Sequence, residues 1–144
     1  MAVGPVGAGK STLIHALFGG DPVHKTQSLS YMANSIDTPG EFVNNPFYHH
    51  ALFATALEAD LIVFMQPTNV PRMVFPPRFT SGFPKKSIGV VNKIDLPEGN
   101  IERSRRFLEI IGVAPEDIFL MSARTGEGLE EFKEYIEKQL KEEV

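Results

Sequence analysis

The chain has 144 residues, 42% hydrophobic and 22% charged, with a formal net charge of −4 and no cysteine. This length favours one domain spanning residues 1–144, built on one core. The composition excludes a disulfide scaffold and a thiolate metal site, and the negative balance gives no broad electrostatic basis for binding nucleic acid.

Met1, Ala2 and Val3 are the only residues ahead of Gly4, short for a buried strand, so either the natural protein starts a few residues earlier or the first strand is truncated. The loop Gly4-Pro5-Val6-Gly7-Ala8-Gly9-Lys10-Ser11 follows and satisfies G-x-x-x-x-G-K-[ST]. A helix is expected over Ser11 to Phe18, stopped by Gly19-Gly20. Leu29-Ser30-Tyr31 reads as an edge strand and Asn34-Ser35-Ile36 as the end of a short strand. Phe47 to Glu58 reads as a helix with Leu52, Phe53, Ala56 and Leu57 along one stripe. Leu61 to Met65 and Ser87 to Val91 are apolar runs of buried strands, and Ile118 to Met121 is a third. Between the first two lies Pro67 to Pro84, whose five prolines (67, 71, 76, 77 and 84) argue against a regular helix. A helix is predicted over Ile101 to Ile111, ending at Gly112. Another places Leu129, Phe132, Ile136 and Leu140 on one face. Short apolar runs alternating with amphipathic ones predict an α/β fold around a mostly parallel sheet. No apolar run is long enough to span a bilayer, and the N-terminus lacks a signal-peptide pattern. The lack of cysteine fits a reducing cytoplasm.

The glycine loop carries the clearest chemistry. Gly7 and Gly9 let the backbone curl with its N–H groups turned inward, and the helix that follows adds the positive end of its dipole. Lys10 would reach the β- and γ-phosphates of a nucleoside triphosphate, and Ser11 would offer its hydroxyl to Mg²⁺. The nucleotide-binding candidates of this loop are Gly4, Val6, Gly7, Ala8, Gly9, Lys10, Ser11 and Thr12.

Three further loops follow strand ends. In Asp37-Thr38-Pro39-Gly40, Asp37 would hold Mg²⁺ through water and the Gly40 amide would meet the γ-phosphate; the same four residues also make an ordinary turn. In Asn92-Lys93-Ile94-Asp95, the Asp95 carboxylate can accept from the ring N–H and exocyclic amine on one edge of guanine, a pair that adenine lacks. The Lys93 stem can lie over the base plane. Ser122-Ala123-Arg124 either presents backbone N–H groups to the base oxygen or simply leads into the last helix.

The order of these four motifs resembles the Ras-like G domain of small GTPases. Within that class, GPVGAGKSTL, KTQSLSY, IDTPGEF and EADLIVFMQ resemble the EutP/PduV family of ethanolamine- and propanediol-utilisation proteins. The resemblance implies a three-layer P-loop NTPase fold and a cytoplasmic protein tied to bacterial microcompartment metabolism. It also places Thr26 at the loop position whose hydroxyl meets Mg²⁺ beside the γ-phosphate; read without it, Thr26 is a solvated loop residue. Acetate kinase activity has been attributed to members of the family.

Lys10, Thr26 and Glu41 are the catalytic candidates, and Ser11, Thr26 and Asp37 the metal ligands. Glu41 stands where Ras-like proteins often carry glutamine after the DxxG glycine. A carboxylate there adds charge beside the phosphates, which predicts slow intrinsic hydrolysis. The leading expectation is a guanine-nucleotide-binding protein using Mg²⁺ with GTP or GDP. Its rivals are an ATP-dependent acetate phosphotransferase and a nucleotide-gated binding module.

Weaker signals complete the reading. His49 and His50 suit a surface role, and His15 and His24 form no metal set. Arg103, Arg105 and Arg106 suit a solvated helix face. Residues 67–84 carry Val70, Met73, Val74, Phe75, Phe79 and Phe83, which either pack over the sheet or dock a shell protein or metabolic enzyme.

Overall fold

Ile62 to Met65 and Ile88 to Val91 are apolar at successive positions, so side chains on both faces of each strand must find cover. A computed structural model describes residues 2–4, 9, 12–13, 61–73, 75–83 and 86–142, and shows how that cover is supplied. Four parallel strands form one sheet in the order β1 (Ala2–Val3), β2 (Ile62–Pro67), β3 (Ser87–Asn92) and β4 (Ile118–Leu120). Ala2 pairs with Val63 and Val3 with Phe64; β2 and β3 run in register from Ile62–Ser87 to Pro67–Asn92.

The faces are divided cleanly. On one, Val3, Ile62, Phe64 and Val91 pack with Leu108 and Ile111 of helix α1 (Ile101–Ile111). On the other, Val63, Met65, Ile88 and Val90 pack with Leu13, which is already helical, and with Phe132 and Ile136 of helix α2 (Leu129–Glu142). The result is the three-layer α/β arrangement expected of a P-loop NTPase.

The bounds of α1 are those predicted, and both have local causes. The Arg103 N–H donates to Asn100 Oδ1 at 2.9 Å, which caps the start. At the end Gly112 takes φ 115°, and the N–H groups of Gly112 and Val113 donate to the carbonyls of Glu109 and Leu108. That is a Schellman cap, and the apolar contact that goes with it is made by Val113, buried in the same cluster as Leu108.

The strands differ slightly from expectation. β2 starts one residue later and runs two further than the apolar run, to Pro67, and β3 extends to Asn92. Polar and proline side chains at a strand end break the apolar pattern without breaking the ladder. β4 stops one residue short, at Leu120.

The described residues between Pro67 and Phe83 form no long helix, as the prolines require; past the end of β2 their regular element is the short 3₁₀ turn Phe79–Gly82. Phe75, Phe79 and Phe83 are buried against the sheet, with Val70 and Met73 packed at the edge of the cluster. Phe64 is the hub, its ring 5.3 Å from Phe75, 6.0 Å from Phe79 and 5.2 Å from Phe83, each nearly perpendicular. The packing reading of this segment therefore holds. Docking through these phenylalanines does not, because their rings cover the segment's own core. What the segment leaves exposed is Asn69, Pro71, Arg72, Pro76, Pro77, Arg78, Ser81 and Gly82. Val74 lies outside the described residues. So do the strands predicted over 29–31 and 34–36, the helix over 47–58, the four histidines, most of the first helix, and the Leu140 side chain.

Candidate functional site

All four strands are parallel, so their C-terminal ends lie along one edge of the sheet, where α/β folds bind ligands. Three chain segments converge there on a cavity of about 310 Å³, lined by Gly9, Thr12, Asn92, Lys93, Asp95, Leu96, Ser122, Ala123 and Arg124. Every one of these except Leu96 is a nucleotide-binding candidate by its place in a sequence motif. The phosphate loop, the NKID loop and the Ser122–Arg124 loop thus meet at one place, although they are far apart in the chain. Gly4 is buried at the end of β1. Val6, Gly7, Ala8, Lys10, Ser11, Thr26, Asp37, Gly40 and Glu41 lie outside the described residues.

Asn92 joins the three segments. Its side chain is buried, and its Oδ1 accepts from the Ala123 N–H at 3.0 Å. On the other side it approaches Gly9 so closely that a Cβ there would collide with Asn92 Nδ2. Gly9 also has φ 94°, where L side chains are strained. Glycine is required at this position twice over: for the turn, and for the space that Asn92 occupies. Gly9→Ala is therefore expected to cost about 1–3 kcal/mol of stability and to weaken binding of any nucleoside triphosphate. Unchanged melting temperature and unchanged nucleotide affinity would overturn this account.

The NKID loop is held from below by Thr68, a residue that carried no sequence signal. Its hydroxyl donates to the Lys93 carbonyl at 2.6 Å. Its N–H donates to the Asn92 carbonyl, and its own carbonyl accepts from the Asn100 N–H, both at 3.0 Å. A Cβ on Gly99 would strike the Thr68 hydroxyl. Thr68 thus ties the ends of β2 and β3 to the start of α1 while Lys93 is kept at φ 67°. That left-handed conformation is uncommon for a residue other than glycine and persists where surroundings enforce it. Thr68→Val should cost about 1–2 kcal/mol and loosen the loop. Hydrogen exchange at Lys93 to Leu96 reads this directly, and protection equal to that of the unmodified protein would count against it.

The Ser122–Arg124 loop is closed on itself. The Ser122 N–H donates to Glu127 O, the Gly126 N–H to Ser122 O, and the Thr125 N–H to Ser122 Oγ at 3.1 Å. Of the backbone donors expected to face a base, the Ala123 N–H is engaged by Asn92. Burial pushes the Tyr135 phenol above its usual range, with Lys86 opposing the shift. Lys86 sits just ahead of β3, at the opposite end of the sheet from the cavity. Among the described residues there is no cluster of three metal-ligating side chains, and no helix is long and apolar enough to cross a membrane.

Comparison with known proteins matches this arrangement. The PduV-EutP family, described as "Ethanolamine utilisation - propanediol utilisation", matches residues 1–138. The "Probable acetate kinase EutP" of Escherichia coli (strain K12) is 32% identical, over 98% of this chain and 90% of that protein. The "Propanediol utilization protein PduV" of Citrobacter freundii is 38% identical, over 67% of this chain and 65% of that protein. Among solved structures, a probable GTP-binding protein engB superposes with a TM-score of 0.63 at 18% identity, covering 98% of this chain and 97% of that one. Elongation factor SelB of Methanococcus maripaludis with the GTP analogue GppNHp gives 0.59 at 18%, covering 97% and 33%. At such identities these structures establish the fold, that of an α/β P-loop NTPase. With the profile spanning nearly the whole sequence and a relative of similar length at 32% identity, the chain belongs to the PduV-EutP family of ethanolamine and propanediol utilisation proteins.

Proposed function

We propose that this protein binds a guanine nucleotide with Mg²⁺ in the cavity at the C-terminal edge of the sheet, and hydrolyses GTP slowly. The convergence of Gly9 and Thr12 with Asn92, Lys93, Asp95 and Ser122–Arg124 around one cavity carries the reading. A glycine loop suited to phosphates lies beside a carboxylate suited to the guanine edge. Asp95 would accept from the ring N–H and the exocyclic amine, and Lys93 would cover the base. With the Ala123 amide engaged by Asn92, the Arg124 amide is the donor left in that loop for the base oxygen. Lys10 would bind the β- and γ-phosphates, and Ser11, Thr26 and Asp37 would hold Mg²⁺. When bound, the ion would neutralise charge that builds on the phosphate oxygens. Glu41 offers no amide to orient the attacking water, which is why hydrolysis is expected to be slow.

On this reading, residues 1–144 act as one domain in the cytoplasm, in ethanolamine or propanediol utilisation and in association with a bacterial microcompartment. The name of the Escherichia coli relative favours a second reading, phosphoryl transfer between ATP and acetate. Titration with GTP, GDP, ATP and ADP in the presence of Mg²⁺ decides the base. Phosphate release measured with and without acetate decides the reaction. Tight ATP binding without guanine preference, with acetyl phosphate as product, would replace the first reading with the second.

A further inference from the structure

Five of the chain's six arginines, Arg72, Arg78, Arg103, Arg105 and Arg106, lie on α1 or on the segment beside it, in a chain of net charge −4. Their placement is not uniform. Ser104, Leu108 and Ile111 mark the buried face of α1. At about 100° per residue, Arg103, Arg106 and Ile110 fall within about 60° of one another on one flank, and Arg105 falls on the other. The first flank is the one that meets residues 67–83. The Ser104 hydroxyl donates to Pro67 O at 3.4 Å, Gln66 Nε2 to Arg72 O at 3.4 Å, and the Arg78 N–H to Ile110 O at 3.2 Å. The segment therefore touches α1 at its first turn and again at its last. Arg72 and Arg78 lie on the segment, and Arg103 and Arg106 on the flank of the helix that also carries Ile110, a large apolar side chain that is 44% exposed.

Among the described residues no ion pair joins a carboxylate to any of these arginines. The one ion pair among the described residues is Lys86–Asp117. Glu102 stands one turn ahead of Arg106 without pairing with it. The Arg103 Nε is buried with no hydrogen-bond partner.

The complementary surface is on the same chain. Glu130, Glu134 and Glu137 of α2 are exposed and lie within about 60° of one another, opposite Phe132 and Ile136, which face the sheet. From Glu130 to Glu137 is seven residues, about 10 Å of helix, the same run as from Arg103 to Ile110. The arginine seam and the glutamate stripe lie on opposite faces of the sheet, so one molecule cannot bring its own two surfaces together. We propose that the seam between α1 and residues 67–83 binds the acidic face of α2 from a second copy of this chain. Because the two surfaces differ, the contact is head-to-tail and propagates beyond a dimer or closes into a ring.

Sedimentation of the full-length protein tests this. At about 0.01 M salt, where the Debye length is about 30 Å, the weight-average mass should rise with concentration past that of a dimer; at about 0.15 M, where it is about 8 Å, association should weaken by about tenfold or more. The double variants Arg72→Glu/Arg106→Glu and Glu130→Arg/Glu134→Arg change only exposed positions. Each should stay monomeric, and the combination of all four changes in one chain should associate again. A protein that is monomeric at low salt at every concentration overturns the proposal, including one that instead captures a polyglutamate peptide. So does association that survives either reversal, or a fourfold variant that stays monomeric.

Discussion

Replacing Phe64 with alanine should cost about 3–5 kcal/mol of stability, the range for deleting a fully buried phenylalanine. Phe64 has no exposed surface and sits mid-strand, paired with Val3 on one side and Gly89 on the other. Its ring meets three others edge to face. Each such pair adds about 0.5–1.5 kcal/mol beyond the area buried. The neighbours cannot easily close the gap. Phe75 and Phe79 are stacked on each other at 5.7 Å, and Phe79 meets Phe83 at 5.3 Å, so moving one ring disturbs the next. For a domain of this size the melting temperature should fall by roughly 10–15 °C. Phe64→Leu, which keeps most of the volume, should lose clearly less. Denaturant titration measures both, and a loss below about 1 kcal/mol for Phe64→Ala would mean that the aromatic cluster does not hold residues 67–83 to the sheet.

Asp95→Ala should separate base recognition from phosphate recognition. Asp95 is half-buried in the cavity wall, next to the loop closed by Asn92 and Ala123. If its carboxylate accepts two hydrogen bonds from guanine, removing it forfeits interactions worth about 1.5–3 kcal/mol each, less than their sum where they act together. Affinity for GTP and GDP should fall by about 100-fold or more, while affinity for ATP, which makes no such pair, should be nearly unchanged. Folding should be little affected, since Asp95 makes none of the hydrogen bonds that hold the loop. Calorimetric titration with both nucleotides reads the difference. An equal loss for GTP and ATP would place Asp95 at the phosphates or in the scaffold rather than at the base.

How much of this was visible in the sequence varies from one element to the next. Helix α1 was legible to the residue because both its signals are local: Asn100 caps its first turn and Gly112 is the residue that suits a left-handed stop. The strands were legible from continuous apolar runs, but their ends were not. Pro67 and Asn92 pair in register without contributing apolar character, so the pattern stops before the hydrogen bonding does. The absence of a long helix after β2 followed from five prolines. That its phenylalanines converge on Phe64 did not, since the same composition suits an exposed docking patch. At the site, eight of the nine cavity-lining residues were named from motifs whose chemistry is local. Thr68 was missed because its role exists only where β2, the NKID loop and α1 meet. Asn92 was assigned to the nucleotide, and its tie to Ala123 and its pressure on Gly9 depend on contacts between distant parts of the chain.

The register of the first strand has a consequence for how the protein comes together. Ala2 and Val3 find their partners in Val63 and Phe64, about sixty residues later. During synthesis β1 emerges well ahead of β2, its partner among the described strands, and the cavity waits longer still, for Asn92 and then Ala123. Contacts of such long range form slowly, because the loop between them must be closed before any pairing energy is returned. Gly9, although it is made early, is therefore among the last residues to acquire its neighbours at the cavity. A nucleotide that bridges Gly9 and Asp95 would act on folding as well as on function, by trapping the chain once its two ends have met.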